Sequence, residues 1–450
     1  MTAAAAGLRF RAGSLSELLK LAAPVVASRL GIMAMGLTDA IVVGRYSATQ
    51  LGYHALGWTP TGLVLTGAVG LLSGIQVMTS RAIGEGRPER TGAVLRRGLV
   101  YASWIGLVSA AVLYLLGPML LVALQLEPEL AAGGGRVVRV FALSLPMFVV
   151  ATAGIGFLEG LGKPSPGMTA MWAANVANLG FNLVLVPGGF GIPAMGAVGA
   201  AWSTFGARLV LLAWLAVYIL RMPNARALGV FDQPKRDRPA EAEQRRIGYG
   251  AGASFTVEAG AFAGMNIVAG WLGPLPLAAW TVVLNVAAVI FMVPLGLATA
   301  TSVMVGRAYG ARDRDEVIAS GVLGLCVCTA AAAVISLAVW LTAPLIVRAY
   351  ATDPRLIALA APALVLCCLF FVTDALQVVT ANALRARGDV LVPTSTHIFS
   401  YTLVMLPLGW ALAHPAGLGL HGIVWAAIIA TLVAACLLLG RFWMLARQAL

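Results

Sequence analysis

The stretch Gln76-Val-Met-Thr-Ser-Arg-Ala-Ile-Gly84 returns 226 residues later as Ser302-Val-Met-Val-Gly-Arg-Ala-Tyr-Gly310. Further matches hold the same frame. Pro118 falls on Pro344, and Glu127-Pro-Glu-Leu130 on Asp353-Pro-Arg-Leu356. Leu158 and Gly162 fall on Leu384 and Gly388, and Gly196-Ala-Val-Gly-Ala-Ala201 on Gly422-Ile-Val-Trp-Ala-Ala427. Matches that keep one offset over this length describe a duplicated chain. Working outward from them, Gly, Pro and charge clusters cut each copy into six apolar segments. The twelve lie near 15–44, 57–80, 97–119, 136–158, 165–187, 197–221, 248–273, 278–305, 317–343, 358–384, 391–413 and 420–445. Six is even, so both copies enter a membrane from the same side, related by an axis along its normal.

Composition agrees. Hydrophobic residues make up 60% of the 450 and charged ones 11%, where a soluble domain carries about 25% charge. Mean hydropathy is +0.90. A transmembrane β-barrel would alternate over segments of about ten residues, and here long unbroken apolar runs dominate. The fold class read from these facts is an all-α polytopic membrane protein. Its twelve transmembrane helices form two pseudo-symmetric six-helix lobes around a central cleft. The N-terminal lobe spans 1–221, a cytoplasmic linker 222–247 and the C-terminal lobe 248–450. Such a duplication suits a transporter that rocks two lobes about the cleft.

With both termini placed in the cytoplasm, 23 Lys and Arg face inward and five outward, with Arg29 and Arg208 inside spans. That split predicts a multi-pass protein with both termini cytoplasmic. The net charge of +12 is thus a topology signal towards anionic lipid and calls for no nucleic acid. Ser14-Leu-Ser-Glu17 has the form of a capping box opening the first helix, with no cleavable signal peptide before it. The five cysteines lie in apolar helices without CxxC pairing and read as packing residues.

An ionised carboxylate at mid-membrane costs about 2.5–3.5 kcal/mol on insertion scales, so buried acids point to function. Only Asp39, Glu258 and Asp374 fall well inside spans. Glu159, at the cytoplasmic end of segment 4, is expected to be solvated. Counting the helical rise puts Glu258 and Asp374 about 15 Å from the inner face. At matching depth in the C-terminal lobe they make a candidate cation or proton site; Asn285 either faces it or bonds between helices as structural glue. Asp39 lies in the outer half of the other lobe. Asn178, Asn182 and Thr204 come to the same depth. One carboxylate with three neutral oxygens suits a hard cation, and equally a protonatable acid in a hydrogen-bond network. Arg208, near mid-span, needs a partner or an aqueous cavity, and Arg29 is shallow enough to snorkel inward. His54, His397, His414 and His421 show no ligand spacing and read as structural. Pro24, Pro294 and Pro407 are candidate kinks.

These residues resemble the multidrug and toxic compound extrusion (MATE) family, in its NorM-like bacterial branch. Met35-Gly-Leu-Thr-Asp-Ala-Ile-Val-Val-Gly44 looks like its Asp-bearing motif, and Phe255-Thr-Val-Glu258 carries the acid of that branch. Val283-Leu-Asn-Val-Ala-Ala-Val-Ile-Phe-Met-Val-Pro-Leu-Gly296, Glu159-Gly-Leu-Gly-Lys-Pro164 and Ala383-Leu-Arg-Ala-Arg-Gly388 are similar to further family patterns. The likeness covers nearly the whole chain. It implies export of organic, often cationic, compounds in exchange for Na⁺ or H⁺. It maps one coupling site onto Glu258, Asp374 and Asn285 and the other onto Asp39, Asn178, Asn182 and Thr204. Na⁺ at those residues is the one candidate metal. Two positions depart from it: Trp280-Thr281 replaces a common His-Gln pair, and Asn182 stands where some relatives carry a second Asp. The reading is of a monomeric antiporter in the lipid bilayer of the bacterial inner membrane with drug-like small molecules as partners. No enzyme motif and no cofactor beyond the coupling ion are expected, since a P-loop is missing. The alternatives are a lipid-linked precursor flippase, which would want a more cationic cavity, and an uncoupled channel.

Overall fold

A computed structural model describes residues 12–123, 127–233 and 237–448. The N-terminal arm before residue 12 and Pro234, Lys235 and Arg236 of the central charged stretch lie outside them. Twelve long helices account for the described chain. They are α1 (Ala12–Tyr46), α2 (Ala48–Gly84), α3 (Thr91–Ala123), α4 (Pro128–Gly160), α5 (Ser165–Leu185) and α6 (Gly196–Arg221). Then follow α7 (Arg238–Trp271), α8 (Pro274–Gly310), α9 (Arg314–Tyr350) and α10 (Pro354–Ala386). The chain ends with α11 (Leu391–Ala413) and α12 (Gly419–Ala446). All twelve segments read from hydropathy are therefore helices, and the chain is a multi-pass membrane protein. Most of the helices overrun their apolar cores. At 33–37 residues, as in α1 to α4 and α7 to α10, a helix reaches roughly 50 Å against a hydrocarbon layer of about 30 Å.

Among the described residues, ten helices are long and apolar enough to cross a membrane. The other two are α5 and α7. Asn175, Asn178 and Asn182 lower the first, and Glu258 with Asn266 lowers the second.

The repeat has a physical basis in caps. At the end of α4, Gly162 takes φ +74° and Lys163 N–H donates to Leu158 C=O over 2.9 Å. At the end of α10, Gly388 takes φ +95° and Asp389 N–H donates to Leu384 C=O over 3.0 Å. Both are Schellman turns, which demand a left-handed residue that glycine supplies without a Cβ clash. The repeated Glu127-Pro and Asp353-Pro pairs open the same two helices, with Pro at the first position where no N–H is needed. Pro118 and Pro344 lie inside α3 and α9. The pairing pattern repeats as well: α4 packs on α2, α3 and α6, and α10 on α8, α9 and α12.

The chain forms two compact units. The N unit is Ala27–Gly252, and the C unit is residues 253–450 with the start of α1 up to Val26. Within the C unit, Leu18, Leu21 and Ala22 of α1 join the core of Leu297, Ala298 and Val303. Val26 crosses α8 at Gly296, where an added Cβ would collide with it. Within the N unit, Gly252 of α7 crosses α2 at Gly70 with the same consequence. These crossings fall in the 226-residue frame, residue for residue.

Two local expectations need correction. The helix α1 is already formed at Ala12, so Ser14 does not cap it. Glu17 bonds Arg307 at 3.0 Å instead. Glu159 is not solvated: it is 4% exposed and pairs with Arg29 at 3.4 Å. A buried carboxylate without a counter-charge would be costly, and Arg29 reaches it from α1. Among the other candidate kinks, Pro24 and Pro294 lie inside α1 and α8. Before Pro407, α11 widens into a π-helix over Ile398–Met405. Proline lacks the N–H of the regular ladder, and a wider turn is one way to absorb that loss.

Candidate functional site

In the N unit the four residues expected at one depth do meet. Asp39 of α1 is 1% exposed, and Asn178, Asn182 and Thr204 are equally buried. Asn178 Nδ2 donates to Asp39 Oδ1 over 3.0 Å and Asn182 Nδ2 to the same oxygen over 2.7 Å. The Thr204 hydroxyl donates to Oδ2 over 2.5 Å. The two asparagines reach one oxygen because they are one helical turn apart on α5. Asn182 Nδ2 also donates to its own helix at Asn178 C=O over 3.0 Å. That bond fixes the amide with its nitrogen towards the carboxylate, since a carbonyl only accepts. The carboxylate is thus met by donors on both oxygens. Thr204 is the adaptable member, because a hydroxyl can turn from donor to acceptor if the acid takes a proton.

Arg208 follows Thr204 by one turn. It is 2% exposed, its Nη1 donates to Ser144 Oγ over 2.6 Å, and its guanidinium stands 4.9 Å from the Phe148 ring centre. Ser144 and the Phe148 ring are the partners it finds on neighbouring α4, and neither carries a counter-charge. Asp39 and Arg208 line a common cavity of about 20 Å³ with Trp58 and Met171, room for about one water-sized species.

In the C unit Glu258 and Asp374 are joined through two side chains that sequence reading passed over. The Tyr401 hydroxyl donates to Glu258 Oε1 over 3.0 Å and accepts from Gln377 Nε2 over 3.3 Å. Gln377 Nε2 also donates to Asp374 Oδ1 over 2.9 Å. Tyr401 and Gln377 are fully buried. Tyr401 comes from the π-helical stretch of α11, and Gln377 follows Asp374 by three residues on α10, close enough to share its face. A carboxamide three residues after a buried acid was a readable signal; a lone tyrosine in an apolar helix was not. Gln377 Oε1 is buried without a hydrogen-bond partner. Two carboxylates, this carbonyl oxygen and a phenol oxygen form an oxygen-rich set that suits a hard cation or a shared proton.

Asn285 is not brought into this chain of bonds. Asn285 is exposed on α8 between the buried Val283 and Val286, and among the described residues no hydrogen bond joins it to either acid. Arg385, counted from sequence among the cytoplasmic loop charges, is instead 2% exposed at the end of α10. Its Nη2 donates to Ser254 Oγ over 2.7 Å, and its guanidinium lies 6.0 Å from the Phe255 ring. Of the histidines, His54 packs edge-on to Phe141 and His397 to Tyr401, and His414 tilts against Trp271. Among the described residues no cluster of His, Cys, Asp and Glu has the form of a metal centre. All five cysteines are free.

Comparison with known proteins gives one answer. A family model described as MatE matches residues 24–184 and 251–411, two matches that start 227 residues apart, one residue from the internal frame. The chain is 58% identical over 431 residues to a probable multidrug resistance protein NorM of Caulobacter vibrioides, covering 96% of this chain and 92% of the relative. It is 32% identical to the multidrug resistance protein PmpM of Pseudomonas aeruginosa, over 90% and 85% of the two chains. Among solved structures, an outward-facing multidrug resistance MATE family transporter superposes with a TM-score of 0.89 at 20% identity, over 97% of each chain. A MATE in a bent conformation superposes at 0.87, also at 20% identity and over 96% of each chain. The duplicated six-helix halves, the family matches in both of them and the full-length relatives agree: the chain belongs to the MATE family.

Proposed function

We propose that the protein is a secondary multidrug antiporter of the bacterial inner membrane, with both termini cytoplasmic. It exports organic, often cationic, compounds in exchange for Na⁺ or H⁺ by alternating access and acts as a monomer, not as an enzyme. Its full-length relatives bear multidrug resistance names, and the charge split across the loops supports the orientation. The observation that carries the coupling is the buried chain Glu258–Tyr401–Gln377–Asp374. Two acids held by a hydroxyl and an amide can bind a proton or Na⁺ and release it with small rearrangements of the same side chains. Ion binding there biases one conformation over the other, and drug release follows from the difference in affinity between the two.

Drug efflux in inverted membrane vesicles, with the pH and Na⁺ gradients imposed separately, tests the reading. Accumulation of a fluorescent cation driven by at least one gradient, and abolished when both are collapsed, supports it. Equal flux with and without either gradient would favour an uncoupled channel.

A further inference from the structure

The charge inventory of the two units differs. Around Glu258 and Asp374 the buried charges are two carboxylates and Arg385, a net of one negative. Around Asp39 they are one carboxylate and Arg208, a net of zero. Arg208 forms no salt bridge among the described residues, and its Nε is buried without a partner. A guanidinium does not shed its charge in a protein, so burial leaves it in need of a nearby anion. Asp39 is the one acid lining its cavity. The other groups facing Asp39 are uncharged: Asn178 and Asn182 from α5 and Thr204 from α6. Around the cavity, α2 presents Trp58, α4 Phe148 and α5 Met171.

Oxygen supply does not separate the two sites: Asn178 Oδ1 and Asn182 Oδ1 are buried without a hydrogen-bond partner, as Gln377 Oε1 is in the C unit. A hard cation takes such oxygens as ligands, so what distinguishes the N-unit site is the resident charge of the buried Arg208 beside Asp39. We propose that Arg208 is a specificity-determining residue: it is the resident counter-charge of Asp39 and closes the N-unit site to Na⁺, which leaves Na⁺ binding to the Glu258/Asp374 site. This rests on the reading of both acidic sites as coupling sites, and it gives them unlike roles.

The test is Na⁺ binding, not transport. Full-length protein carrying Glu258→Gln and Asp374→Asn is purified, and radioactive Na⁺ binding is measured at equilibrium. With Arg208 intact no saturable binding that depends on Asp39 is expected. Adding Arg208→Gln or Arg208→Met removes the resident cation, and a nearby charge shifts ion affinity by about tenfold or more. Saturable Na⁺ binding should appear, and Asp39→Asn should abolish it again. Arg208→Lys keeps the charge and should stay silent.

Na⁺ binding that Asp39→Asn removes while Arg208 is in place would overturn the proposal. So would neutral Arg208 variants that stay folded, by a monodisperse profile and an unchanged melting transition, yet gain no binding. Should both neutral variants unfold, the Arg208-intact protein still decides the matter by the first criterion. Loss of ion-coupled export altogether would overturn the function proposed above and leave this binding result standing.

Discussion

Tyr401 turns two buried acids into one site. Its hydroxyl donates to Glu258 and accepts from Gln377, which in turn donates to Asp374. Hydrogen bonds to charged groups contribute about 1.5–3 kcal/mol, and a buried ion that loses one is left undersolvated. Tyr401→Phe keeps the ring in its fully buried place and removes only that link. Ion-driven efflux should fall by about tenfold or more in Tyr401→Phe, while the amount of folded protein in the membrane stays close to wild type. Unchanged efflux would show that the acids act without the bridge. At this scale the sequence was legible where charge was expensive. Asp39, Glu258 and Asp374 stood out because an acid in an apolar run has no packing role to explain it, and the amide and hydroxyl around Asp39 followed from depth alone. Tyr401 did not stand out, because a tyrosine in an apolar helix is ordinary until its partner is known. Glu159 was misjudged for a related reason. Its position near a helix end suggested water, and only the fold brings Arg29 of α1 against it.

At the scale of elements, the repeat marks in the sequence are helix ends. Gly162 and Gly388 close α4 and α10 with left-handed backbone, φ +74° and +95°. An L side chain there costs roughly 1–2 kcal/mol. Gly162→Ala and Gly388→Ala should each lower thermal stability by about 1 kcal/mol, read from the melting of detergent-solubilised protein, without changing ion dependence. A substitution that leaves melting unchanged would mean the Schellman turn is not under this constraint. Helix existence was readable throughout because long apolar runs have few other solutions in a bilayer. Helix ends were less so. Apolarity stops at the interface, whereas backbone hydrogen bonding runs on, so α7 begins at Arg238 and not at the hydropathy edge near 248. The π-helical stretch of α11 left no mark beyond Pro407, which by itself announces a kink and not its form. The glycine crossings at Gly70 and Gly296 lay in the 226-residue frame all along. Their partners, Gly252 and Val26, differ in type, so letter matching passed over them.

At the scale of the whole molecule, duplication supplied the scaffold and divergence supplied the chemistry. The frame sets Asp39 against Met265 and Glu258 against Ile32, so neither acidic site has a counterpart in the other half. Unlike sites permit unlike ion loads. Moving one monovalent cation outward against 100 mV, inside negative, costs about 2.3 kcal/mol. One-for-one exchange with Na⁺ or H⁺ is electroneutral and draws only on the chemical gradient of the ion, whereas a second coupled ion also draws on the voltage. The central claim is that coupling runs through Glu258 and Asp374. It is tested most directly in proteoliposomes by ion-driven drug efflux of wild type, Glu258→Gln and Asp374→Asn at matched protein density. Both variants should lose gradient-driven efflux while still binding drug, because each removes one acid and leaves the amide and hydroxyl packing around it. Normal coupled efflux by both variants would contradict the account.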